Sequence, residues 1–431
     1  MTTTEPMLRR IRADELDGAT RPPLDPGVLE SARAIVEDVR TRRDDALRAY
    51  AERFGERSGG DPLVLGRDAM DDALGSIEPG TRALLERVAA RIERFALAQR
   101  DAVRAMEIPI DGGRAGHTIE PVRSAGCYAP AGRHPLPSSA LMTSVTARAA
   151  GCARVVVASP SADPVMLAAA RIGGADAYLA CGGAHAIAAL AHGTESVEPC
   201  DMIVGPGNAW VTAAKQLVSD RVGIDMLAGP SELLVIADAD ADPDLVAADL
   251  LAQAEHDDDA IPMLVTWCAD LPSRVEACLR ARLESLGTAE TARAALGNGF
   301  ACVVGSLGDA CAAADRIGAE HVEILARDAD SIAARLRNAG ALFIGADSAE
   351  VLGDYGAGPN HTLPTGGTAR FRAGLSVTAF MRLRTWVRID DPAAARGLVE
   401  DAAALATIEG LDAHAQSARA RIGDPAGGTP G

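Results

Sequence analysis

Lysine is almost missing: the 431-residue chain has Lys215 and no other, although Lys and Arg together number 42. Schiff-base chemistry would therefore rest on Lys215, and its neighbours Val211-Thr212-Ala213-Ala214 read as an ordinary helix surface. A surplus of positive charge is missing as well. The net charge of −18 excludes a nucleic-acid surface, because phosphate binding needs concentrated Lys and Arg. No charge-free apolar run reaches membrane-spanning length, so no membrane role is expected. Residues 1–12 are polar and lack the apolar core of a secretory signal. The eight cysteines, at 127, 152, 181, 200, 268, 278, 302 and 311, form no C-x-x-C pair. Most lie in apolar strand-like or Ala-rich helix-like surroundings, which predicts reduced core thiols in a cytoplasmic protein. A zinc ion would then depend on nitrogen and oxygen donors.

What is present is a large apolar fraction, 48%, enough for a sizeable core and more than one domain. Residues 1–24 read as a loosely attached arm ending at Pro22-Pro23. A helix is expected over 26–54, with Leu29, Ala32, Ile35, Val36, Val39 and Leu47 along one face. Ser58-Gly59-Gly60 breaks it, and a second helix spans 80–106. After Gly112-Gly113 the pattern turns to alternating strands and helices. Strands are expected at 122–128, 154–158, 177–181 and 202–204, then again from 233–236 to a last one near Ile344. Repeats of this length predict parallel sheets with helices on both faces, in two α/β layers of similar grammar that suggest a duplication. Residues 353–367 form a long irregular loop with Asp354 and His361 exposed on it, and such loops are usually functional. The tail, 392–422, is helical, and the residues from Pro425 on read as disordered.

Three features suggest chemistry. Gln253 and His256 lie one turn apart at the end of a helix beginning near Pro243, and a carbonyl oxygen with an imidazole can supply half a metal shell. An isolated pair of this kind is more often a solvated helix end. Glycine-rich turns follow three strands, at Ala131-Gly132, Gly182-Gly183 and Gly205-Pro206-Gly207-Asn208, and each can bring backbone N–H groups and a helix N-terminus to a phosphate. None is a full dinucleotide or P-loop fingerprint, and each alone also suits a plain β-α turn. Glu320-His321 closes a helix, where an acid and an imidazole can share general-base work or simply suit a helix C-terminus.

Taken together, eight collinear stretches resemble the histidinol dehydrogenase family: GCYAPAGRHPLPSSALMTSV, VGPGNAWVTAAKQLV, IDMLAGPSELLVIAD, DLLAQAEH, EHVEI, GDYGAGPNHTLPTGG, GLSV and EGLDAHA, between residues 120 and 415. The resemblance implies conversion of L-histidinol to L-histidine by two NAD-linked oxidations, through an aldehyde held on the enzyme, with a zinc ion positioning the substrate. By motif position, Gln253, His256, Asp354 and His414 are the implied zinc ligands, all in substrate contact. His321 is the implied base for the alcohol proton and Glu320 the base that activates water. Ser231, His361 and Glu409 match substrate contacts, and Tyr128, His185 and Asn208 match NAD contacts. The implied fold is α/β: two Rossmann-like parallel-sheet domains of similar grammar, with a helical N-terminal region and a helical C-terminal tail. Residues 25–123 with 231–375 would carry zinc and bases, 124–230 would be an inserted NAD-binding domain, and 376–431 would reach the partner of a homodimer with shared active sites.

One departure stands out. The family typically has Gln where this chain has His185, and the imidazole's hydrogen-bond pattern differs from an amide's, which bears on NAD affinity. The stretch before His361 also departs from the common version. Two further readings follow: a paralogue oxidising another polar alcohol, such as a sulfonated diol, and a non-catalytic metal- or ligand-binding protein. The intact Glu320-His321 pair argues against the last.

Overall fold

A computed structural model describes residues 6–18, 26–131 and 135–422. Pro22-Pro23, Gly132 and the tail from Pro425 lie outside the described residues. The chain opens with β1 (Arg9–Ile11) and a 3-10 turn over Ala13–Gly18, then α1 (Pro26–Arg42), α2 (Asp44–Arg53), β2 (Val64–Leu65), α3 (Arg67–Ser76) and α4 (Pro79–Ala102). A hairpin of β3 (Met106–Ile110) and β4 (Gly113–Pro121) leads to β5 (Ser124–Tyr128), α5 (Pro137–Ala150), β6 (Arg154–Ala158) and α6 (Pro164–Ile172). β7 (Ala177–Leu179), α7 (Gly183–His192), β8 (Met202–Val204), α8 (Ala209–Leu217) and β9 (Gly223–Ile224) complete the first run. The second run is β10 (Glu232–Ala237), α9 (Pro243–Ala254), β11 (Ile261–Thr266), α10 (Leu271–Leu283), α11 (Ala289–Asn298), β12 (Phe300–Val303) and α12 (Leu307–Ile317). It ends with β13 (His321–Leu325), α13 (Ala329–Ala333), β14 (Ala341–Ile344) and α14 (Glu350–Asp354); β15 (Met381–Ile389), α15 (Arg396–Ile408) and α16 (Asp412–Arg419) follow.

The chain divides into two compact units. The larger holds two six-stranded sheets of one plan, β2-β7-β6-β5-β8-β9 and β1-β12-β11-β10-β13-β14. Within each run the spatial order is third, second, first, fourth, fifth, with an N-terminal strand added beyond the third. The layers of similar grammar thus share a topology as well as a rhythm. In the second sheet Leu233, Val235 and Ala237 point to one face, where Val246, Leu250, Val275 and Leu279 of α9 and α10 cover them. Leu234 and Ile236 point to the other, against Ala310, Ala314 and Ile317 of α12. A strand buried on both faces reads as a continuous apolar run, which is how β10 appears in sequence. The first sheet packs α1, α7 and α8 against Val156, Leu179 and Ile203. In α5, the Thr143, Ser144 and Thr146 hydroxyls donate to carbonyls four residues back, which lets a hydroxyl-rich helix be buried.

The smaller unit is an antiparallel sheet, β15-β4-β3, followed by α15 and α16. β15 pairs with β4 from Met381–Pro121 to Ile389–Gly113, and its alternation of Leu and Val with Arg is a strand pattern that the expectations above did not use. Several apolar side chains of this unit are exposed, among them Leu383, Val387, Leu405 and Ile408.

Four local expectations are corrected. The helix expected over 26–54 breaks at Arg43, which takes φ 54°, because the next residue is held by another loop: the Asp44 N–H donates to Glu195 and its carboxylate accepts from Ser196. Residues 9–11 of the supposedly loose arm form a parallel edge strand on β12. Helix α11 went unseen behind α10, since Gly287-Thr288 separates two short amphipathic stretches. Lys215 is buried rather than on a helix surface: its ammonium donates to the Gly205 carbonyl at 2.9 Å and pairs with Asp225. All eight cysteines are free, six of them buried. No helix among the described residues is long and apolar enough to cross a membrane.

Removing one partner of a buried ion pair strands the other's charge. Lys215→Ala should therefore lower the unfolding free energy by about 3–5 kcal/mol, read from the urea midpoint. A midpoint equal to the parent's would show that the pair does not stabilise the fold.

Candidate active site

Strands β10 and β13 are parallel neighbours with Leu233 in register with His321, which brings Glu232 level with Glu320. The cluster sits at the amino ends of these strands. Gly318 takes the left-handed conformation at φ 60°, and α12 stops at Ile317. His321 therefore opens a buried strand and Glu320 immediately precedes it, instead of the pair closing a helix, correcting the expectation. Val322 and Ile324 go to one core while His321 and Glu323 share the opposite face, an alternation that a five-residue strand makes plain only in three dimensions. The Glu232 N–H donates to Glu320 Oε2 at 2.9 Å, and His321 Nδ1 meets the Glu232 carbonyl at 3.1 Å. A carbonyl only accepts, so Nδ1 carries the proton and Nε2 is the basic nitrogen when the ring is neutral. Nε2 has no hydrogen-bond partner among the described residues and lies 3.6 Å from Asp354 Oδ1.

Helix α9 runs back along the sheet, so its C-terminal end returns to the same edge. Gln253 is fully buried, with neither amide atom hydrogen-bonded among the described residues; His256, just past the helix end, is exposed. Asp354 and His361, expected to be exposed, are buried and half-buried. The cause is that 350–354 is helix rather than loop, turned inward, and that His361 is fixed at both nitrogens: Nδ1 on the Asp354 carbonyl at 3.0 Å and Nε2 on Ser139 Oγ at 3.3 Å. Donor atoms of His256, Glu350 and Asp354 lie within 4.8 Å of one another. His256 Nε2 and Asp354 Oδ2 are 3.6 Å apart, close to the roughly 3.4 Å that separates two ligands of a tetrahedral zinc. The nitrogen and oxygen donors and the orphaned Gln253 amide suit such an ion.

Burial dominates the acids here. It pushes Glu320 up to about 8, Glu232 and Glu350 to about 7, and Glu323, beside Asp249, to about 9. Burial pulls His321 down, but Glu320 and then Asp354 and Glu350 outweigh it and raise the ring to about 10. Asp354 is desolvated too, yet His321 beside it brings its carboxyl below the usual range. His361 is lowered by burial and so favours the neutral ring.

The proposed cofactor residues gather on the first sheet, at the carboxyl ends of its strands. Tyr128 ends β5 and is buried, with its hydroxyl accepting from the Gly183 N–H at 3.1 Å. Asn208 follows β8 and caps α8, its Oδ1 accepting from Trp210 and Val211 N–H groups, so its Nδ2 is what can meet a ligand. His185 is buried inside α7. Gly205, at φ 115°, lies so close to β5 that a Cβ there would sit 2.0 Å from the Tyr128 carbonyl oxygen. In the second and third turns, the Gly182, Gly183 and Gly205 amides are not free for a phosphate as expected. Glu56 takes the Gly182 N–H at 3.2 Å, Tyr128 takes that of Gly183, and Asp225 takes that of Gly205 at 2.8 Å. Two distant carboxylates and a tyrosine hydroxyl fill these positions, which local sequence could not reveal.

Ser231 is half-buried just before β10. Glu409 and His414 belong to the smaller unit, at the end of α15 and on α16, and both are exposed.

A family model for histidinol dehydrogenase matches residues 23–422. Histidinol dehydrogenase from Agrobacterium fabrum is 44% identical over 403 residues, covering 92% of both chains. The Thermus thermophilus enzyme is 44% identical over 396 residues, 91% of this chain and 94% of its own. The chain belongs to the histidinol dehydrogenase family. The family's fold follows the same way: the crystal structure of the Elizabethkingia anophelis histidinol dehydrogenase superposes with a TM-score of 0.90 at 30% identity, covering 97% of this chain and 98% of that one. Membership places the protein among NAD-dependent oxidoreductases of histidine biosynthesis.

Motif reading missed Glu232, Asp249, Glu323 and Glu350. Glu350 carried a usable signal, four residues before Asp354 and hence on the same helical face. Glu232 and Glu323 are acids inside apolar strand runs, a pattern that itself calls for a reason.

Glu232, Glu320, Glu323 and Glu350 hold protons in the fold up to pH 7–9, against an ordinary 4.5. The native chain then binds more protons than the unfolded one above pH 4.5, so stability falls as pH rises through 7–9. In chelator, the melting temperature should drop steadily from pH 6 to pH 9. A flat or rising curve would remove burial as the dominant influence on these acids.

Proposed function

We propose that this protein converts L-histidinol to L-histidine in two NAD-dependent oxidations, on a zinc held by Gln253, His256, Asp354 and His414. The observation that carries the reading is the Glu320-His321 pair: two adjacent buried bases beside a cluster of nitrogen and oxygen donors. Ligand binding alone would require neither base. When bound, zinc would fix and polarise the substrate and offset the carboxylates that raise His321, while each of two NAD molecules would accept one hydride.

His321, with Nδ1–H held by the Glu232 carbonyl, takes the alcohol proton on Nε2. Glu320 then takes a proton from the water that adds to the aldehyde carbon, giving the hydrated aldehyde for the second oxidation. Burial raises it to about 8 in the metal-free fold, and a bound cation nearby would lower it towards the range where it serves as a base at neutral pH. Glu350 joins His256 and Asp354 closely enough to share in the metal's environment. Ser231, His361 and Glu409 frame the substrate, and Tyr128, His185 and Asn208 serve NAD.

Glu409 and His414 reach the active site of a second copy in this reading, making a homodimer with shared sites. The exposed Leu405 and Ile408, next to Glu409, supply the apolar surface such a contact needs. The domain division in this reading is 25–123 with 231–375 for zinc and bases, 124–230 as the NAD-binding insert, 376–431 as the tail and 1–24 as the arm, with α1 and β2 of the first segment packed on the sheet of the insert. Strands β5–β9 and β10–β14, each confined to one of these segments, support it. The enzyme is read as cytoplasmic, in keeping with free thiols.

Purified protein with zinc, excess NAD and limiting L-histidinol should form two NADH per histidinol, with histidine as product. One NADH would mean that the aldehyde is released, and none would turn the reading towards another polar alcohol. Glu320→Gln should cut histidine formation by about 100-fold or more while zinc binding survives. Unchanged histidine formation in that variant would remove Glu320 from the chemistry.

A further inference from the structure

Glu56 follows α2 and belongs to none of the motifs above, yet its carboxylate is buried beneath the Gly182–Gly183 turn. Oε2 lies 2.9 Å from His185 Nε2, and the two side chains are 10% and 2% exposed. Oε1 accepts from the Gly182 N–H at 3.2 Å. A carboxylate accepts, so Nε2 carries the proton and Nδ1, itself buried and without a hydrogen-bond partner among the described residues, is the other nitrogen. The ring stacks on Tyr50 of α2 and on Phe54 just after it, with centroids 5.8 and 5.5 Å away, and its Nδ1 lies 3.4 Å from where a Cβ of Gly183 would be. Gly183 then donates to the Tyr128 hydroxyl at the end of β5. Two hydrogen bonds accepted by one carboxylate and a cluster of three stacked rings thus fix a turn, and the turn fixes a tyrosine whose own O–H remains a donor.

We infer that Glu56 is a positioning residue for the cofactor: acting through His185 and the Gly182–Gly183 turn, it holds Tyr128 in place for NAD. The proton-bearing nitrogen of His185 is committed to Glu56 and its ring to Tyr50 and Phe54, so its contribution passes through the turn. The turn reads a cofactor without a phosphate cradle, because both its amides are already taken. The inference rests on the reading of Tyr128 and Asn208 as NAD contacts.

The test is NADH affinity by fluorescence titration of chelator-treated protein, with KM for NAD and kcat measured on zinc-loaded enzyme. Glu56→Ala should weaken NADH binding and raise KM for NAD about tenfold, the worth of one charge-assisted hydrogen bond, with kcat and zinc content near the parent's. Glu56→Gln, whose amide can serve both partners once the imidazole switches tautomer, should recover most of the affinity. His185→Phe keeps the stack and loses the proton, so it should match Glu56→Ala, and it stands in should Glu56→Ala fail to fold. Parent-like affinity in Glu56→Ala or His185→Phe, while Tyr128→Phe and Asn208→Ala bind weakly, would overturn the inference and leave the cofactor site standing. Parent-like affinity in all four would overturn the cofactor site and the inference with it. A fall of kcat in step with the rise of KM would also overturn it, since that marks general damage.

Discussion

An imidazole inside a protein is stabilised as a cation when carboxylates surround it, and those carboxylates in turn need hydrogen bonds or a cation to be buried at all. Around His321 both demands meet. Glu320, Glu350 and Asp354 approach the ring to 3.6–3.9 Å, and Glu232 supplies a carbonyl to one nitrogen and an N–H to Glu320. Gln253, Glu323 and Glu350 nevertheless have side-chain atoms with no hydrogen-bond partner among the described residues. Such a cluster is costly in a dry interior and is kept where its chemistry is used. The helices and strands of the second sheet converge on this edge.

The two sheets share one strand order but use opposite ends. In the first, residues assigned to NAD follow the carboxyl ends of β5, β7 and β8, and the order reverses between β5 and β8, where open α/β sheets commonly bind ligands. In the second, the bases stand at the amino ends of β10 and β13, the corresponding pair of strands. The amino end serves because α9, antiparallel to its strand, returns Gln253 and His256 to that edge, and α14 brings Glu350 and Asp354 there.

Much of this was legible beforehand, and unevenly. Strands at 154–158 and 202–204 matched to the residue, since short apolar runs near Gly, Pro and Asp leave little choice of ends. Glu320-His321 was placed on the wrong element because the preceding helix is amphipathic up to its last turn and Gly318 is a weak stop signal in one dimension. The hairpin sheet of the smaller unit escaped notice although β15 alternates Met381, Leu383, Val387 and Ile389 with arginines, a period-two pattern that points to a strand rather than a helix. Asp354 read as exposed because its burial depends on α14 packing inward. Of the residues named from motifs, His256, Glu320, His321, Asp354 and His361 lie close together in the larger unit, while Glu409 and His414 are exposed on the smaller one; Glu232, Glu350 and Glu56 were found only once the chain was folded.

The sequence by itself determined the family, the α/β class, the order of elements and most of the side chains capable of chemistry, because these follow from local periodicity and from motif spacing along the chain. Only the tertiary structure decided which nitrogen of His321 is basic, that the single lysine is buried against Asp225, and that carboxylates from elsewhere occupy the amides of the glycine turns. Those are contacts between residues 10 to 130 positions apart, such as Lys215 with Asp225 and Glu56 with His185. Charge and hydrogen bonding at such separations are set by where the backbone brings the groups, and no local pattern records it.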